Sequence, residues 1–508
     1  MTRLPILTTE ELRAVESRAA RVPGPTLMER AGRATAEAAR RLARDDGSPI
    51  LVVAGPGNNG GDAWVAAAHL AEAFHRVLVF DVTGSAPPAV EARAAQSAFR
   101  ARGGQVIREW PGDTRLALIV DGLLGIGLGR NVEGAFAQIV VEINASDAPV
   151  LAIDVPSGLD SDSGCVRGIA VKADRTLTFI ARKPGLFTAD GVDHCGVVDV
   201  DTLGLPEETF ADARGKLLVP EQVRGLLHAR PRNSHKGTFG TLGIVGGNRG
   251  MVGAALLAAR AGLYLGAGKV YVGLLSADAP TVDPEQPELM MRTVDDAMAA
   301  DVLVVGPGAG RSPSATSVSM FERTVLPNAI ASTKPLVLDA DALNVLAYSE
   351  ALAEAVAARR QGPTILTPHP AEAARLLRCD NDAVRCDRVG SALELSRRFG
   401  AHIVLKGAGS VCAFPDGRWS INATGNPGLA SGGTGDVLAG MIGALLCQDL
   451  RGDEALEYAV CLHGAAADRC VAEGNGPAGL TASEVARMAR RLMNAWTASL
   501  TNGHVVAG

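Results

Sequence analysis

The stretch Ile50-Leu-Val-Val-Ala54-Gly-Pro-Gly-Asn-Asn-Gly-Gly-Asp62 decides the reading of the fold. Its first residues are continuously apolar, the pattern of a strand buried on both faces. Glycines follow at once, so the strand ends in a loop whose backbone a ligand can approach closely. Asn58, Asn59 and Asp62 bring amides and oxygens to that loop. It is neither the spaced Gly-x-Gly-x-x-Gly fingerprint nor a Walker loop, since no Lys-Ser/Thr follows. Before it, Thr8 and Glu11 stand at capping-box spacing and open a helix to about Ala20; Pro25 opens a second to about Arg44. After it, apolar runs recur at Val77–Phe80, Leu116–Val120, Val150–Val155 and Leu177–Ile180, most of them separated by alanine-rich helical stretches. Strands alternating with helices specify a parallel, doubly wound sheet with ligands at the carboxyl ends of its strands.

The rhythm breaks between residues 205 and 235, and we place a domain boundary near Lys216, giving domains 1–215 and 216–508. A second alternation follows at Leu242–Val245, Lys269–Gly273, Val302–Val305, Leu336–Leu338, Thr364–Leu366 and Ile403–Leu405. The fold class is therefore α/β with two domains. A chain of 508 residues with 47% hydrophobic and 20% charged residues can bury a core in each half. The net charge of −6 gives no global attraction to nucleic acid or anionic membrane. Eight scattered cysteines without a Cys-x-x-Cys pair point to a reducing cytoplasm rather than a disulfide framework or zinc site. The start turns polar too soon for a signal peptide, and no apolar run is long enough to span a bilayer. The tail from Thr501 carries no pattern. Such sheets commonly assemble, so a homo-oligomer is expected.

Three loops of the first half each follow an expected strand: Gly55–Asp62, Asp121-Gly-Leu-Leu-Gly-Ile-Gly-Leu-Gly129-Arg130, and Asp154-Val-Pro-Ser-Gly158. Each alone is an ordinary strand-to-helix turn; three at equivalent ends of one sheet describe a site. Glycine turns with Arg130 suit a diphosphate. Asn59, Asp121 and Ser157 offer oxygens to a hard cation, with potassium, magnesium and sodium all open.

The second half is richest at Thr424-Gly-Asn-Pro-Gly-Leu-Ala-Ser-Gly-Gly-Thr-Gly-Asp-Val-Leu-Ala-Gly440, followed by apolar residues at helical spacing. A glycine loop opening a helix aims free N–H groups and the positive dipole end at one point, which makes an anion site. Asp436 beside a bound phosphoryl group is placed to take the proton from an attacking hydroxyl. Its plain alternative is dipole complementation in the first turn. Asp339 and Asp341, two residues apart, suit magnesium held through water, or else cap the next helix. Gly306-Pro-Gly-Ala-Gly310-Arg311 is another anion turn, and Met251 to Ala255 opens a small-residue helix. His369 stands between Pro368 and Pro370 in a rigid loop, with Glu372 near. Lys406 to Ser410 brings a cation, flexible backbone and a hydroxyl, as a nucleotide loop would.

The loops of the first half closely resemble those of the NAD(P)H-hydrate epimerases, over about residues 8 to 213. The resemblance implies a Rossmann-like fold that interconverts the R and S epimers of hydrated NADH or NADPH. It implies substrate contacts at Asn58, Asn59, Gly60, Gly61, Asp62, Gly125, Ile126, Gly127, Leu128, Gly129, Arg130, Asn131 and Asp154, and potassium ligands at Asn59, Asp121 and Ser157. Ala63 stands where the family often has glycine and Ile126 where it usually has threonine, which removes a hydroxyl near the phosphates. Epimerising a hemiaminal-like carbon needs proton traffic, for which Asp154 is the first choice of shuttle and Asp121 the second.

Thr-Pro-His-Pro and the glycine-aspartate run resemble the ribokinase-like NAD(P)H-hydrate dehydratases, over about residues 216 to 495. That resemblance implies ADP- or ATP-dependent dehydration of the S epimer, with ADP favoured, and magnesium is expected as its cofactor. It places substrate contacts at Ala254, Gly308, His369 and Asp436, nucleotide contacts at Lys406, Gly407, Ala408, Gly409, Ser410 and Gly435, and the base at Asp436. Two rivals stand beside this reading: a small-alcohol or vitamin-precursor kinase in the second half, and a non-catalytic binding module in the first.

Overall fold

The computed structural model describes residues 5–19, 24–82, 84, 89–310 and 319–502. Internal contacts divide the chain into Arg3–Lys216 and Leu217–Gly508. Each unit carries its own doubly wound α/β sheet.

In the first unit the strand order is Gln105–Ile107, Val77–Asp81, Ile50–Ala54, Leu118–Gly122, Val150–Ile153, Arg175–Phe179, Val197–Asp201. All neighbours pair in parallel. Side chains alternate between the faces, so one apolar run serves two cores. Ile50, Val52 and Ala54 join the cluster containing Trp64 and Phe99, while Leu51 and Val53 join the one containing Ile139, Val140 and Ile143. Trp64 and Phe99 meet edge to face with centroids 6.1 Å apart. Helix Leu27–Leu42 packs closely on helix Asn58–Glu72 because Gly32 has no side chain; a Cβ there would lie 2.4 Å from Val65 Cβ.

The sheet order reverses between Ile50–Ala54 and Leu118–Gly122, which opens a crevice at their carboxyl ends. Gly55 turns the chain at that point. A Cβ on it would sit 1.8 Å from the Leu123 carbonyl oxygen. Gly55→Ala is expected to destabilise the protein by about 1–3 kcal/mol, the usual penalty of overpacking. Thermal denaturation checks this, and an unchanged midpoint would contradict so close a crossing.

The second unit orders its strands as Gly215–Leu218, Trp419–Asn422, Val411–Ala413, His402–Leu405, Thr364–Leu366, Leu336–Leu338, Val302–Val305, Thr241–Gly246, Lys269–Leu274, Met290–Arg292. Its centre is parallel, with an antiparallel hairpin at Val411–Ala413 and Trp419–Asn422. Here the order reverses between Thr241–Gly246 and Val302–Val305. Helix Thr434–Leu446 is buried along most of its length and packs on helix Val252–Tyr264. Close contact is possible because a Cβ on Gly440 would strike the Ala258 carbonyl at 2.0 Å.

The expected strands are present, with small shifts: the run at 116–120 becomes Leu118–Gly122. The expected helix at Pro25 begins at Leu27, because Thr26 is the cap and its Oγ1 accepts from Glu29 N at 3.3 Å. The patternless tail expected from Thr501 is corrected: helix Ala482–Asn502 continues through Thr501 and Asn502, and residues 503–508 lie outside the described residues. No described helix is long and apolar enough to cross a membrane.

Candidate active sites

A cleft of about 610 Å³ occupies the crevice of the first unit. It is lined by Asn58, Asn59 and Asp62 from the first glycine loop, by Leu123–Arg130 from the second, and by Asp154 from the third. Three expected contacts do not line it. Gly60 and Gly61 are buried in helix Asn58–Glu72, where side chains would strike the Gly55 carbonyl and Met28 respectively. Asn131 is exposed beyond the loop. Ile126 faces the cleft, so an apolar side chain replaces the missing hydroxyl. Ala63 is buried behind it; a Cβ on Gly122 would lie 2.6 Å from Ala63 Cβ. That departure belongs to packing, not to the site.

Asn59, Asp121 and Ser157 do come together, around the Leu124 carbonyl. Asn59 Nδ2 donates to that oxygen at 2.8 Å and Ser157 Oγ at 3.1 Å. Ser157 also donates to Asp121 from Oγ at 2.6 Å and from its amide at 2.9 Å. The donors present to an ion are oxygens, which fits a hard cation. Burial pushes the Asp121 carboxyl up, and the bonds from Ser157 and the Leu123 amide oppose that. Asp121 is fully buried and does not line the cleft. Its two bonds from Ser157 brace that loop, and of the two candidate shuttles only Asp154 is among the residues lining the cleft.

Asp154 does line the cleft. It ends strand Val150–Ile153 with φ 65, the left-handed region where a non-glycine residue is strained. Its Oδ1 accepts from Phe179 N at 3.0 Å, from Thr178 Oγ1 at 3.1 Å and from Lys183 Nζ. Lys183 is wholly buried and also donates to Thr178 Oγ1 at 2.7 Å and to the Phe179 carbonyl at 2.8 Å. Ile180, at φ 68, is a second left-handed residue on the cleft wall. Helix Thr9–Ala19 adds Leu12, Arg13 and Glu16. Sequence reasoning missed Lys183 and Glu16. Lys183 carried a signal, a cation directly after an expected strand; Glu16 reads simply as one residue of a polar helix face.

In the second unit the loop residues converge on Asp436. Helix Thr434–Leu446 has Gly433 at its N-cap, φ 89, with no side-chain cap, so its amides face outward. The loop before it is tied down: Asp468 accepts from Gly425 N at 2.8 Å and Asn426 Nδ2 at 2.9 Å. Asp436 carries the first-turn charge. Burial, and then the charge of Asp339, push its carboxyl up to about 7, with Lys406 opposing.

Lys406 reaches back to Asp339 Oδ1 at 3.1 Å, and a Cβ on Gly435 would lie 3.1 Å from its Nζ. The expected nucleotide residues Lys406 and Gly435 are thus neighbours. Ser410 instead bonds the Gly407 carbonyl at 3.0 Å, and Gly407 and Gly409 take positive φ values of 139 and 60. Arg388, which carries no signal in the sequence, is buried and braces this loop through the Lys406 and Gly409 carbonyls at 3.3 and 3.4 Å.

Asp339 and Asp341 do not act as a simple pair. Ala340 between them is left-handed, φ 49, and turns them to different partners. Asp339 engages Lys406 and Thr367 Oγ1, the latter at 2.6 Å, while Asp341 accepts from Gly310 N at 2.8 Å. Neither caps helix Asp341–Tyr348. His369 does cap helix Pro370–Leu377, its Nδ1 accepting from Ala371 N at 3.1 Å. Burial and the charges of Lys406 and Arg375 lower it to about 4, so it is neutral near pH 7. Buried Glu372 completes the capping box and is pushed up to about 7, chiefly by burial. Ala254 and Gly308 meet across the crevice, where a Cβ on Gly308 would sit 3.0 Å from Ala254 Cβ. Arg311 lies outside the described residues.

Family models match both halves: NAD(P)H-hydrate dehydratase over residues 242–491 and YjeF-related protein N-terminus over 24–185. The chain is 38% identical over 501 residues to the bifunctional NAD(P)H-hydrate repair enzyme of Escherichia coli strain K12, covering 96% of this chain and 93% of that protein. It is 39% identical over 483 residues to the enzyme of the same name from Coxiella burnetii, covering 92% and 94%. Among solved structures, an ADP/ATP-dependent NAD(P)H-hydrate dehydratase from Bacillus subtilis aligns with 55% of this chain and 98% of that one, at 33% identity and a TM-score of 0.49. The family models and the two relatives match the chain across both of its units. The chain belongs to the family of bifunctional NAD(P)H-hydrate repair enzymes, which join an epimerase half to a nucleotide-dependent dehydratase half.

Proposed function

We propose that residues 1–215 interconvert the R and S hydrates of NADH and NADPH, and that residues 216–508 dehydrate the S hydrate using ADP or ATP. The observation that carries the second activity is Asp436: a carboxylate without a hydrogen-bond partner among the described residues, at an uncapped helix N-terminus, beside Lys406. Asp436 takes the proton of the substrate hydroxyl as that oxygen attacks the terminal phosphoryl group. The new phosphate ester leaves with the push of the ring nitrogen, and loss of a ring proton restores the dihydropyridine. Attaching phosphate makes hydroxide a good leaving group, which is why a nucleotide is consumed. Lys406 and the helix N-terminus bind the transferring phosphate.

Asp339, Asp341, Glu372 and Asp436 outnumber the cations Lys406 and Arg375 in this site, and that excess of carboxylate fits magnesium. Asp341 would hold it, with water completing its shell, and it would neutralise phosphate charge while Asp436 stays free as the base. In the first half, Asn59, Ser157 and the Leu124 carbonyl would hold potassium, with Asp121 supplying the charge. Asp154 carries the proton traffic of epimerisation. None of the eight cysteines is in a disulfide, which supports work in the reducing cytoplasm.

The test mixes R and S hydrates of NADH with the purified protein, magnesium, potassium, and ADP or ATP in turn. Complete return of dihydronicotinamide absorbance with release of inorganic phosphate is expected. Recovery that stalls near half would remove the epimerase assignment. Phosphate retained on the organic product would establish the kinase rival instead.

A further inference from the structure

The cleft of the first unit holds more acid than a single shuttle requires. Glu16, Asp62 and Asp154 all line it, with Lys183 as the buried cation among them. Their surroundings differ. Asp154 is clamped by Lys183, Thr178 and the Phe179 amide. Asp62 has no hydrogen-bond partner among the described residues. Desolvation, then the charges of Asp154 and Glu16, press its carboxyl well up, with Lys183 opposing. Glu16 itself is raised by burial and by Asp154, while Lys183 and Arg13 act against this. Paired carboxyls whose environments separate them, one ion-paired and one pressed toward its neutral form, divide acid from base within one site.

We infer that Asp62 donates the proton in epimerisation and that Asp154, held by Lys183, accepts it, with Glu16 a positioning residue on the same cleft wall. This rests on the epimerase reading of the first unit. The Asp62 proton moves to the hydroxyl on the hemiaminal carbon. The C–O bond breaks with its electron pair on oxygen, water departs, and the nitrogen lone pair closes a C=N bond. A second water attacks the opposite face, a new C–O bond forms, and the C=N pair returns to nitrogen. The surplus proton passes to Asp154. Nothing is oxidised or reduced. Asp62 ends ionised and Asp154 protonated, so the next turnover runs with exchanged roles or after proton exchange with water. Because the leaving and entering oxygens lie on opposite faces, each inversion takes up one solvent oxygen.

The experiment incubates R hydrate of NADH with the full-length protein and potassium in ¹⁸O-labelled water, without nucleotide, and follows S hydrate and its oxygen content. The expected wild-type result is one labelled oxygen per inversion. Asp62→Asn should slow inversion by about 10²- to 10⁴-fold, the usual range for losing a general acid. Asp62→Glu should restore part of that rate. Glu16→Gln removes a negative neighbour, so Asp62 gives up its proton more readily and the alkaline limb of the pH profile should move to lower pH. Thermal denaturation of the same preparations, compared with wild type, reports whether each variant is folded, because dehydration of S hydrate reports on the second unit alone. Inversion without label, or a wild-type rate in a folded Asp62→Asn protein, would overturn the assignment while leaving the epimerase intact. Failure of the wild type to invert the R hydrate would remove the epimerase reading and this assignment with it.

Discussion

Asp436→Asn is expected to lower nucleotide-driven recovery of NAD(P)H by about three orders of magnitude while nucleotide binding survives. Asparagine is nearly isosteric, so the loop tied to Asp468 and the amides of helix Thr434–Leu446 stay in place. The change removes the lone pair that accepts the hydroxyl proton, and general bases are worth about 10²- to 10⁴-fold. The pH profile sharpens the claim. Burial and the charge of Asp339 push the Asp436 carboxyl up to about 7, and a base works only when deprotonated. Wild-type turnover should therefore rise with pH through that region and level off above it. Residual turnover of the variant should lack this limb. Phosphate release across pH, with calorimetric titration of ADP or ATP, checks both statements. Near-normal turnover in Asp436→Asn would exclude the residue as the base.

Asp154→Ala should slow consumption of the R hydrate by about 10²- to 10⁴-fold. The variant loses the acceptor and also leaves Lys183 buried with only neutral partners, Thr178 and the Phe179 carbonyl. Breaking one side of a buried ion pair usually costs about 3–5 kcal/mol, so a lower melting temperature is expected as well. Asp154→Asn, which keeps the hydrogen-bond acceptor, separates the chemical loss from the structural one. With a mixture of epimers, either variant should recover about half of the dihydronicotinamide absorbance and then slow to the spontaneous rate. An unchanged time course for the R epimer would show that the first half does not do this chemistry.

Much of this architecture is legible in the chain. Central strands such as Ile50–Ala54 and Val302–Val305 are buried on both faces, so their apolar runs stand out. The edge strand Gln105–Ile107 and the strand Val197–Asp201 are short or alternate with aspartate, and leave no such run to read. The glycine loops announce both crevices because a close turn leaves a local signature. Partnerships across the fold leave none. Nothing near Asp339 announces Lys406, which lies 67 residues away, and nothing near Asp154 announces Glu16 on the first helix. The surroundings of Asp121 need coordinates for the same reason: its type suits proton transfer, and only the fold shows it buried and bonded to Ser157.

Asp154, Ile180 and Ala340 hold left-handed backbones beside the two sites. Each such residue costs about 1–3 kcal/mol. For Ala340, glycine would relieve that cost without removing any side-chain chemistry; Ile180 sits in the core, where glycine would open a cavity. A screen that rewards only heat tolerance would therefore be drawn to Ala340 before the other two. It would collect sturdier proteins whose Asp339–Asp341 turn is free to wander, and it would score them as improvements. Heat tolerance and repair capacity are thus opposed at this residue, and an engineering campaign on this enzyme should hold it fixed while varying the surface.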